Sequence, residues 1–191
     1  MSAEEKQTDG RTDGALVRAL RSTGDTMAFD VLVKRYERPL YGFIARQLGD
    51  RSHARDLYQQ TLLHILDRIE SCTSPEAFGP WAFSIAANLC RNHRRTLAQR
   101  SEGGSLEHLA STAPNPEQSA AANQTAARIA AALDALPDTQ REVFVLYHYT
   151  KLSYDEVAAA TGAPLGTVKS RMNAALVQLR SLLAELAEKK S

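Results

Sequence analysis

Apolar residues recur at three- and four-residue steps along most of the chain, which is the period of amphipathic α-helices. In the first half this spacing predicts a short helix over 14–21, a longer one beginning near Thr26 and a third over 52–69. Pro39 lies inside the second apolar run. It predicts a kink or a break there, because proline lacks a backbone donor and clashes with the preceding turn.

A fourth helix is predicted to begin near Pro75, after the turn-rich residues 70–75. Its apolar positions fall on one stripe and it continues into a basic end. They are Phe78, Trp81, Ala82, Ile85, Ala86 and Leu89. The periodicity is lost near Leu97, where glycines and prolines punctuate a polar and mildly acidic stretch. Such a composition is typical of a flexible linker.

Helical periodicity returns near Glu117 and reaches Leu136, and Pro137-Asp138 begins a further helix. Strand-like alternation occurs nowhere. The pattern therefore predicts an all-α protein with two small helical domains joined by a flexible linker. The expected boundaries are a disordered tail over 1–13, a first domain over 14–97, a linker over 98–118 and a second domain over 119–191.

The C-terminal region carries the pattern of a helix-turn-helix. Ser153 followed by Glu156 predicts a capping box, and Gly162 suits a left-handed helix end. Pro164 suits the beginning of the next helix, which buries a stripe through Val168 and Met172. Its exposed beginning carries polar and basic residues, namely Thr167, Lys169, Ser170, Arg171 and Asn173. Such a helix can enter the major groove of DNA, although an ordinary helical hairpin shares much of this pattern.

Composition narrows the functional classes. Of the 191 residues 43% are hydrophobic, which is enough for packed cores, and the formal net charge is +1. That small total hides a basic segment, 91–100, with four arginines and no acid. Cys72 and Cys90 form no metal-binding spacing, so we expect no metal and no cofactor. With no signal peptide pattern and no membrane-length apolar run, we expect a cytoplasmic protein without membrane insertion.

The basic, aromatic helix over 78–95 is a second candidate nucleic-acid site. Trp81 and Phe83 could stack on unpaired bases while arginines neutralise phosphates. The competing interpretation is structural, since Phe78 and Trp81 fit a core stripe and a basic helix end complements the helix dipole. A phosphate-binding glycine loop, paired carboxylates and a nucleophile motif are absent from the sequence, so we expect no enzyme.

In order and spacing, these segments resemble the extracytoplasmic-function (group IV) sigma factors of bacterial RNA polymerase. The resemblance covers about residues 15–183. It rests on ARDLYQQTLLHIL and FGPWAFSIAANLCRNHRR in the first half. In the second half it rests on the LP-x-x-QR-x-V segment followed by GTVKSR. It implies an alternative sigma factor that binds core polymerase, recognises −35 and −10 promoter elements and promotes DNA melting.

The resemblance also implies roles for single residues. On the third helix, Asp56, Gln59 and Gln60 would dock on the clamp of the largest polymerase subunit. The separated −10 strand would be held by nine residues: Cys72, Thr73, Ser74, Trp81, Asn88, Arg91, Asn92, Arg94 and Arg95. The −35 duplex would meet Thr167, Lys169, Ser170, Arg171 and Asn173. Further implied partners are the flap region of polymerase, promoter DNA and an anti-sigma factor.

Five positions depart from the family pattern, namely Tyr58, Gln60, Asn92, Asn173 and Ala174. Gln60 stands where an acidic residue is common, which leaves more of the clamp contact to Asp56. Asn173-Ala174 stands where many members have a bulkier residue followed by Arg, which predicts an unusual −35 preference. The alternative to a sigma factor is a stand-alone dimeric helix-turn-helix regulator. It gives no reason for the basic aromatic helix.

Overall fold

The computed structural model describes residues 10–49, 52–101 and 120–188. All regular structure in these ranges is helical, in eight α-helices and two short 3-10 segments. Most of the expected tail, 1–13, and of the expected linker, 98–118, lies outside the described residues. Within the described ranges, no helix is both long and apolar enough to cross a membrane.

The first lobe consists of α1 to α4. Helix α1 spans Asp13–Thr23, α2 spans Thr26–Leu48, α3 spans Ala54–Asp67 and α4 spans Phe78–Ser101. The 3-10 segments Ile69–Ser71 and Pro75–Ala77 lie between α3 and α4. Side-chain caps explain where the first two helices begin, because Thr12 accepts from the amide of Ala15 and Asp25 accepts from that of Ala28.

Helix α2 is a single helix that runs through Pro39, so of the two alternatives predicted there the break does not occur. An internal proline costs roughly 3 kcal/mol. The burial of Leu32 before it and of Leu40 and Phe43 after it offsets that cost, because each side chain is at most 1% exposed. Packing on both sides of Pro39 therefore keeps the helix continuous.

The second lobe consists of α5 to α8. Helix α5 spans Ala120–Asp134, α6 spans Asp138–Thr150, α7 spans Tyr154–Thr161 and α8 spans Leu165–Glu188. The predicted caps of α7 are confirmed. The Ser153–Glu156 capping box is formed, and Gly162 ends the helix at φ 68°.

The two lobes pack against each other, and one hydrophobic core continues from the first into the second. Helix α6 lies on α2, and α7 lies on α4. Buried residues of the second lobe such as Val143, Leu146 and Val157 join Phe43 and Phe83 of the first in this core. A smaller cluster, with Leu133 and Leu179, holds α5 against α8.

Candidate nucleic-acid and polymerase-binding surfaces

The beginning of α8 presents the polar residues that the sequence singles out there. Lys169, Ser170 and Asn173 are exposed, and Thr167 and Arg171 are half-buried. The opposite side of the helix is anchored by Val168 and Met172, which are at most 2% exposed. We call the five polar residues the α8 face. A cationic, hydrogen-bonding helix beginning held on a rigid core can read a duplex groove.

Arg171 differs from its neighbours on the α8 face because it has an acidic partner. Its positive charge acts on the buried carboxyl group of Glu142 in α6. Burial raises the pKa of Glu142, whereas Arg91 and Arg171 oppose that rise. Lys169 and Asn173 are therefore the more exposed candidates for base contacts, and Arg171 is also part of the local electrostatic balance.

Helix α4 aligns five of the predicted strand-binding residues on one side. Counted at 100° per residue, Trp81, Asn88, Arg91, Asn92 and Arg95 fall within about one third of the helix circumference. The four polar members are exposed and Trp81 is half-buried. Arg91 donates to the side-chain oxygen of Asn88, and Arg95 donates to that of Asn92 over 3.4 Å. We call these five residues the α4 face.

Two aromatic residues of α4 point into the protein. Phe83 is 1% exposed and packs edge-on to Phe43, with ring centroids 5.7 Å apart. The expectation that Phe83 stacks on bases is therefore wrong, because its ring is part of the core. Phe78 is also buried, as the structural interpretation predicts. Trp81 rests against Phe78 at 5.8 Å and keeps one part of its ring accessible.

Arg94 also departs from the expected arrangement, since its side chain leaves the α4 face. Its guanidinium donates to the carbonyl oxygen of Gln47 over 3.1 Å and lies 2.6 Å from the carboxylate of Asp138. Both contacts occur where the two lobes meet. Arg94 thus bridges the lobes through Asp138 and lies off the α4 face that carries Arg91 and Arg95.

The loop before α4 is fastened to α1. Arg21 donates to the carbonyl oxygen of Cys72 over 3.2 Å and forms an ion pair with Glu70 at 3.0 Å, and Arg18 pairs with Glu76. Thr73 and Ser74 are exposed in this loop.

The side chain of Cys72, in contrast, is 1% exposed and its thiol reaches the Ser74 carbonyl oxygen at 3.6 Å. Its expected contact with a base is therefore corrected, because the thiol faces the interior. Of the three loop residues predicted to contact the −10 strand, Thr73 and Ser74 are the two with accessible side chains.

Helix α3 exposes Asp56, Gln59 and Gln60, which we call the α3 face. Two leucines on the same helix are also exposed, Leu63 at 62% and Leu66 at 43%. Apolar residues at three- and four-residue steps from Ala54 to Ile69 predict that Leu66 is buried with them. This prediction is wrong, because Leu66 lies among the exposed residues of the helix. Leu63 and Leu66 thus add exposed apolar side chains to the helix that carries the α3 face.

Arg141, which the sequence shows only as part of LP-x-x-QR-x-V, has a central structural role. It is 2% exposed and donates to the carbonyl oxygens of Leu133, Asp134 and Leu136 at the end of α5, and to that of Gln47 in α2. The signal in the sequence is a charged residue on the same side of α6 as the apolar residues Val145 and Leu146, since arginine is rarely buried without partners.

Comparison with known proteins identifies both lobes. Residues 32–100 match the family described as Sigma-70 region 2, and residues 126–179 match Sigma-70, region 4. The chain is 35% identical over 144 residues to the ECF RNA polymerase sigma factor EcfG of Rhodopseudomonas palustris, covering 75% of this chain and 78% of that protein. It is 32% identical over 170 residues to the ECF RNA polymerase sigma factor SigE of Mycolicibacterium smegmatis, covering 86% of this chain and 66% of that protein.

A solved structure is similar across both lobes. The sigma factor RpoE from Bartonella quintana, in complex with the anti-sigma factor NepR, matches with a TM-score of 0.69 and 26% sequence identity. The match covers 82% of this chain and 96% of that one.

Proposed function

Because the chain belongs to the extracytoplasmic-function RNA polymerase sigma factors, we propose that it recognises a bipartite promoter with a separate surface on each lobe. It is an alternative sigma factor that acts in transcription initiation. In this proposal the first domain, 14–97, docks on core polymerase and holds the −10 strand. The second domain, 119–191, reads the −35 duplex, and residues 98–118 link the two.

The observation that carries the proposal is the α4 face. An exposed row of two asparagines and two arginines, with half-exposed Trp81 at one end, suits a single nucleic-acid strand. Arginines neutralise phosphates, asparagines hydrogen-bond bases, and stacking of a base on an aromatic ring contributes roughly 1–3 kcal/mol. An ordinary solvent-exposed helix face does not require this combination of arginines, asparagines and an accessible tryptophan.

Strand capture would offset part of the energy of melting. Extruding a base costs a few kcal/mol in lost stacking and pairing. Thr73 and Ser74, on the loop fastened by Arg21, provide exposed hydroxyl groups on the same lobe as Trp81. A loop that is held before DNA arrives loses less conformational entropy on binding, so preorganisation supports a role in holding an extruded base.

The α8 face and the α3 face complete the proposal. Lys169, Ser170 and Asn173 would contact the −35 element, with Asn173 as a specificity residue. Asp56, Gln59 and Gln60 would bind the polymerase clamp, and the exposed Leu63 would extend that contact. Joining two weak contacts on one polymerase raises the effective concentration of each, so neither lobe needs to bind DNA tightly alone.

Membership in the sigma-factor family also suggests how the protein is regulated and where it acts in the cell. We propose that an anti-sigma factor binds this chain, which the similarity to a sigma factor solved with NepR supports. The protein supplies no bond-forming chemistry in this scheme, because the polymerase makes the RNA, and we place it in the cytoplasm with that enzyme.

Reconstitution with core RNA polymerase tests the proposal. The full chain should co-elute with core enzyme, and the holoenzyme should transcribe genomic DNA from start sites that share a −35 and −10 pair. Asp56→Ala with Gln59→Ala should weaken core binding, with Asp30→Ala, an exposed acid of α2, as the control. If the chain neither co-elutes nor gives promoter-dependent transcripts, the proposal is wrong.

Variants of the other two surfaces separate their roles. Arg91→Ala with Arg95→Ala should impair promoter opening while core binding is kept. Lys169→Ala with Asn173→Ala should change −35 preference and leave core binding intact. Arg180→Ala, an exposed arginine further along α8, is the matched control for both. A stand-alone dimeric regulator would instead bind duplex DNA without polymerase and lose nothing from the α3 substitutions.

A further inference from the structure

Helix α1 is connected to the loop over 70–76 by residues along one of its sides. Gly14, Arg18 and Arg21 follow each other at steps of four and three, so they share one side of the helix. Arg21 donates to the carbonyl oxygen of Cys72 in the loop over 3.2 Å. The helix therefore reaches the loop through side chains, in addition to packing on both 3-10 segments.

Arg18 holds the other end of the loop. Its guanidinium forms an ion pair with the carboxylate of Glu76. Gly14, one turn earlier on α1, leaves room for this pair, because a Cβ atom there would lie 2.9 Å from the Oε1 atom of Glu76. Arg21 and Arg18 thus contact the loop before and after the exposed residues 73–74.

The hydrogen bond from Arg21 fixes more than one atom of the loop. A peptide unit is planar, so the carbonyl oxygen of Cys72 and the Cα atom of Thr73 belong to one rigid group. The Cys72 side chain is 1% exposed and anchors this group to the interior of the protein. Because Arg21 also holds the carbonyl oxygen, the direction in which the Thr73 side chain leaves the backbone is set. Arg21 therefore determines how Thr73 is presented.

Helix α1 is a rigid support for these contacts. Leu16 and Val17 are fully buried on its inner side. Asp13, its first residue, accepts from the hydroxyl group of Tyr36 over 2.5 Å and forms an ion pair with Arg35 of α2. Residues on a packed helix are held more precisely than residues on a loop. A loop fastened to α1 therefore gains order from the core of the first lobe.

The hydrogen bond to the Cys72 carbonyl oxygen is the strongest of the contacts between α1 and the loop. Arg21 pairs with Glu70 at 3.0 Å and Arg18 with Glu76, but these acidic side chains are 70% and 68% exposed. Exposed ion pairs contribute little free energy in water. A charged donor on a neutral acceptor is stronger, and the Arg21 side chain is only 32% exposed. The carboxylates also balance the charge that a phosphate would otherwise meet at either arginine.

We propose that Arg21, supported by Arg18, is a positioning residue for −10 recognition, which holds residues 72–74 in the shape that accepts an extruded base and does not itself contact DNA. Helix α1 thereby takes part in deciding which base is accepted, although it precedes the residues 32–100 that match Sigma-70 region 2. This inference rests on the proposed role of the loop, and it adds a residue outside the loop to the determinants of promoter choice.

Arg21→Ala in the full chain is the first test variant. It removes the donor to the Cys72 carbonyl oxygen from the surface of α1, so the fold should tolerate the change. Arg18→Ala tests the second anchor in the same way, and its result does not depend on the first variant being folded. Arg38→Ala is the matched control, because it removes an exposed arginine from α2 of the same lobe.

The first measurement needs neither polymerase nor promoter. The Cys72 thiol is buried and reaches the Ser74 carbonyl oxygen at 3.6 Å, so its labelling by a thiol-disulfide reagent reports opening of the loop. Peptide mass spectrometry separates this label from one on Cys90. We expect labelling of Cys72 to be about threefold or more faster in Arg21→Ala than in the wild type, because local opening becomes easier. Arg18→Ala should change the rate in the same direction, and the control should match the wild type.

The second measurement uses the holoenzyme that each chain forms with core RNA polymerase. The probe is a forked DNA taken from the promoter with the strongest transcript, with a duplex −35 element and an unpaired −10 strand. Each −10 position is tested with all four bases, and fluorescence anisotropy gives the affinities at two salt concentrations. A wrong base typically lowers affinity about fivefold or more. We expect Arg21→Ala to reduce this selectivity about threefold or more at one −10 position, whereas Arg38→Ala should keep it.

Three results would overturn the proposal. Unchanged labelling of Cys72 in Arg21→Ala would show that Arg21 does not hold the loop. Faster labelling with unchanged base selectivity would show that order in the loop does not decide recognition. A uniform loss of affinity for all four bases, with a smaller salt dependence, would identify Arg21 as a direct phosphate contact. Failure of the proposed function differs from all three, because the wild-type holoenzyme would give no promoter-dependent transcript while the labelling rates stay as expected.

Discussion

The guanidinium group of Arg141 in α6 donates to the carbonyl oxygen of Gln47 in α2 over 3.1 Å, across 94 residues of sequence. The same side chain satisfies three carbonyl groups at the end of α5. The buried guanidinium of Arg141 thus caps the end of α5 in its own lobe and also binds α2 of the other lobe. Its planar fork of donors suits this arrangement, since five N–H groups can reach several acceptors at once.

Arg141→Lys should destabilise the protein strongly. Lysine keeps the charge but concentrates its donors on one nitrogen, so several buried carbonyl groups lose their partners. We expect the free energy of unfolding to fall by about 2–4 kcal/mol. Urea denaturation measures it, with the exposed Arg180→Lys as the control. A loss as small as that of the control would contradict the structural role.

Glu142→Gln should stabilise the protein at neutral pH. Burial raises the pKa of Glu142 above its ordinary value of 4.5, against the opposing charges of Arg91 and Arg171, while Asp138 adds to the rise. A carboxyl group with a raised folded-state pKa stabilises the fold below its unfolded pKa and loses that contribution as the pH rises through the folded value. Glutamine avoids this loss because it stays neutral.

The test is therefore to measure the free energy of unfolding of Glu142→Gln and of the wild type over a series of pH values. The variant should be more stable at pH 7, and the difference should shrink as the pH falls towards about 4. Loss of the Glu142 carboxylate does not leave Arg91 as a buried unpaired charge, because the Arg91 side chain is 42% exposed. A variant that is less stable at pH 7 would mean that the ion pair outweighs the desolvation of Glu142.

Both thiols should be unreactive in the folded protein. Burial raises the pKa of Cys90 to about 12 and also raises that of Cys72. The thiolate is the reactive form, so a thiol-disulfide reagent at pH 8 should label neither residue until the chain unfolds. Arg21→Ala removes the donor that holds the Cys72 carbonyl group and should speed labelling of Cys72 selectively. Rapid labelling of the wild type would show that the loop opens readily.

Ser153→Ala should weaken the beginning of α7. The Ser153 hydroxyl accepts from the Glu156 amide, and the Glu156 carboxylate accepts from the Ser153 amide at 2.8 Å. Loss of such a cap costs about 1 kcal/mol. Thermal unfolding should show it, and Ser181→Ala on the exposed side of α8 is the control. Equal melting temperatures for both variants would deny the capping box a share in stability.

Local features of the fold are predictable from the sequence. The helical periods, the capping box at Ser153, the left-handed Gly162 and the polar beginning of α8 all depend on residues within one or two turns of each other. Family membership is likewise contained in short motifs and their order. Because these interactions join residues that are close together in the sequence, they can be inferred without knowing how the helices pack.

The site residues show where such inference ends. Cys72 and Phe83 carry plausible chemistry in the sequence, yet both side chains face the interior. Arg94 belongs to the same basic run as Arg91 and Arg95 but turns to Gln47 and Asp138. Periodicity shows that a helix has a face, but it does not show which neighbouring element covers that face.

Sequence patterns and motifs are enough to predict a two-lobed helical sigma factor with a helix-turn-helix near its C-terminus. Only the folded molecule shows that the lobes share a core and that carboxylates of the second lobe meet arginines of the first. The difference lies in the distance along the chain over which the interactions act. Gln47 and Arg141 gain their energy from contact in space, and that contact exists only once both lobes have folded and docked.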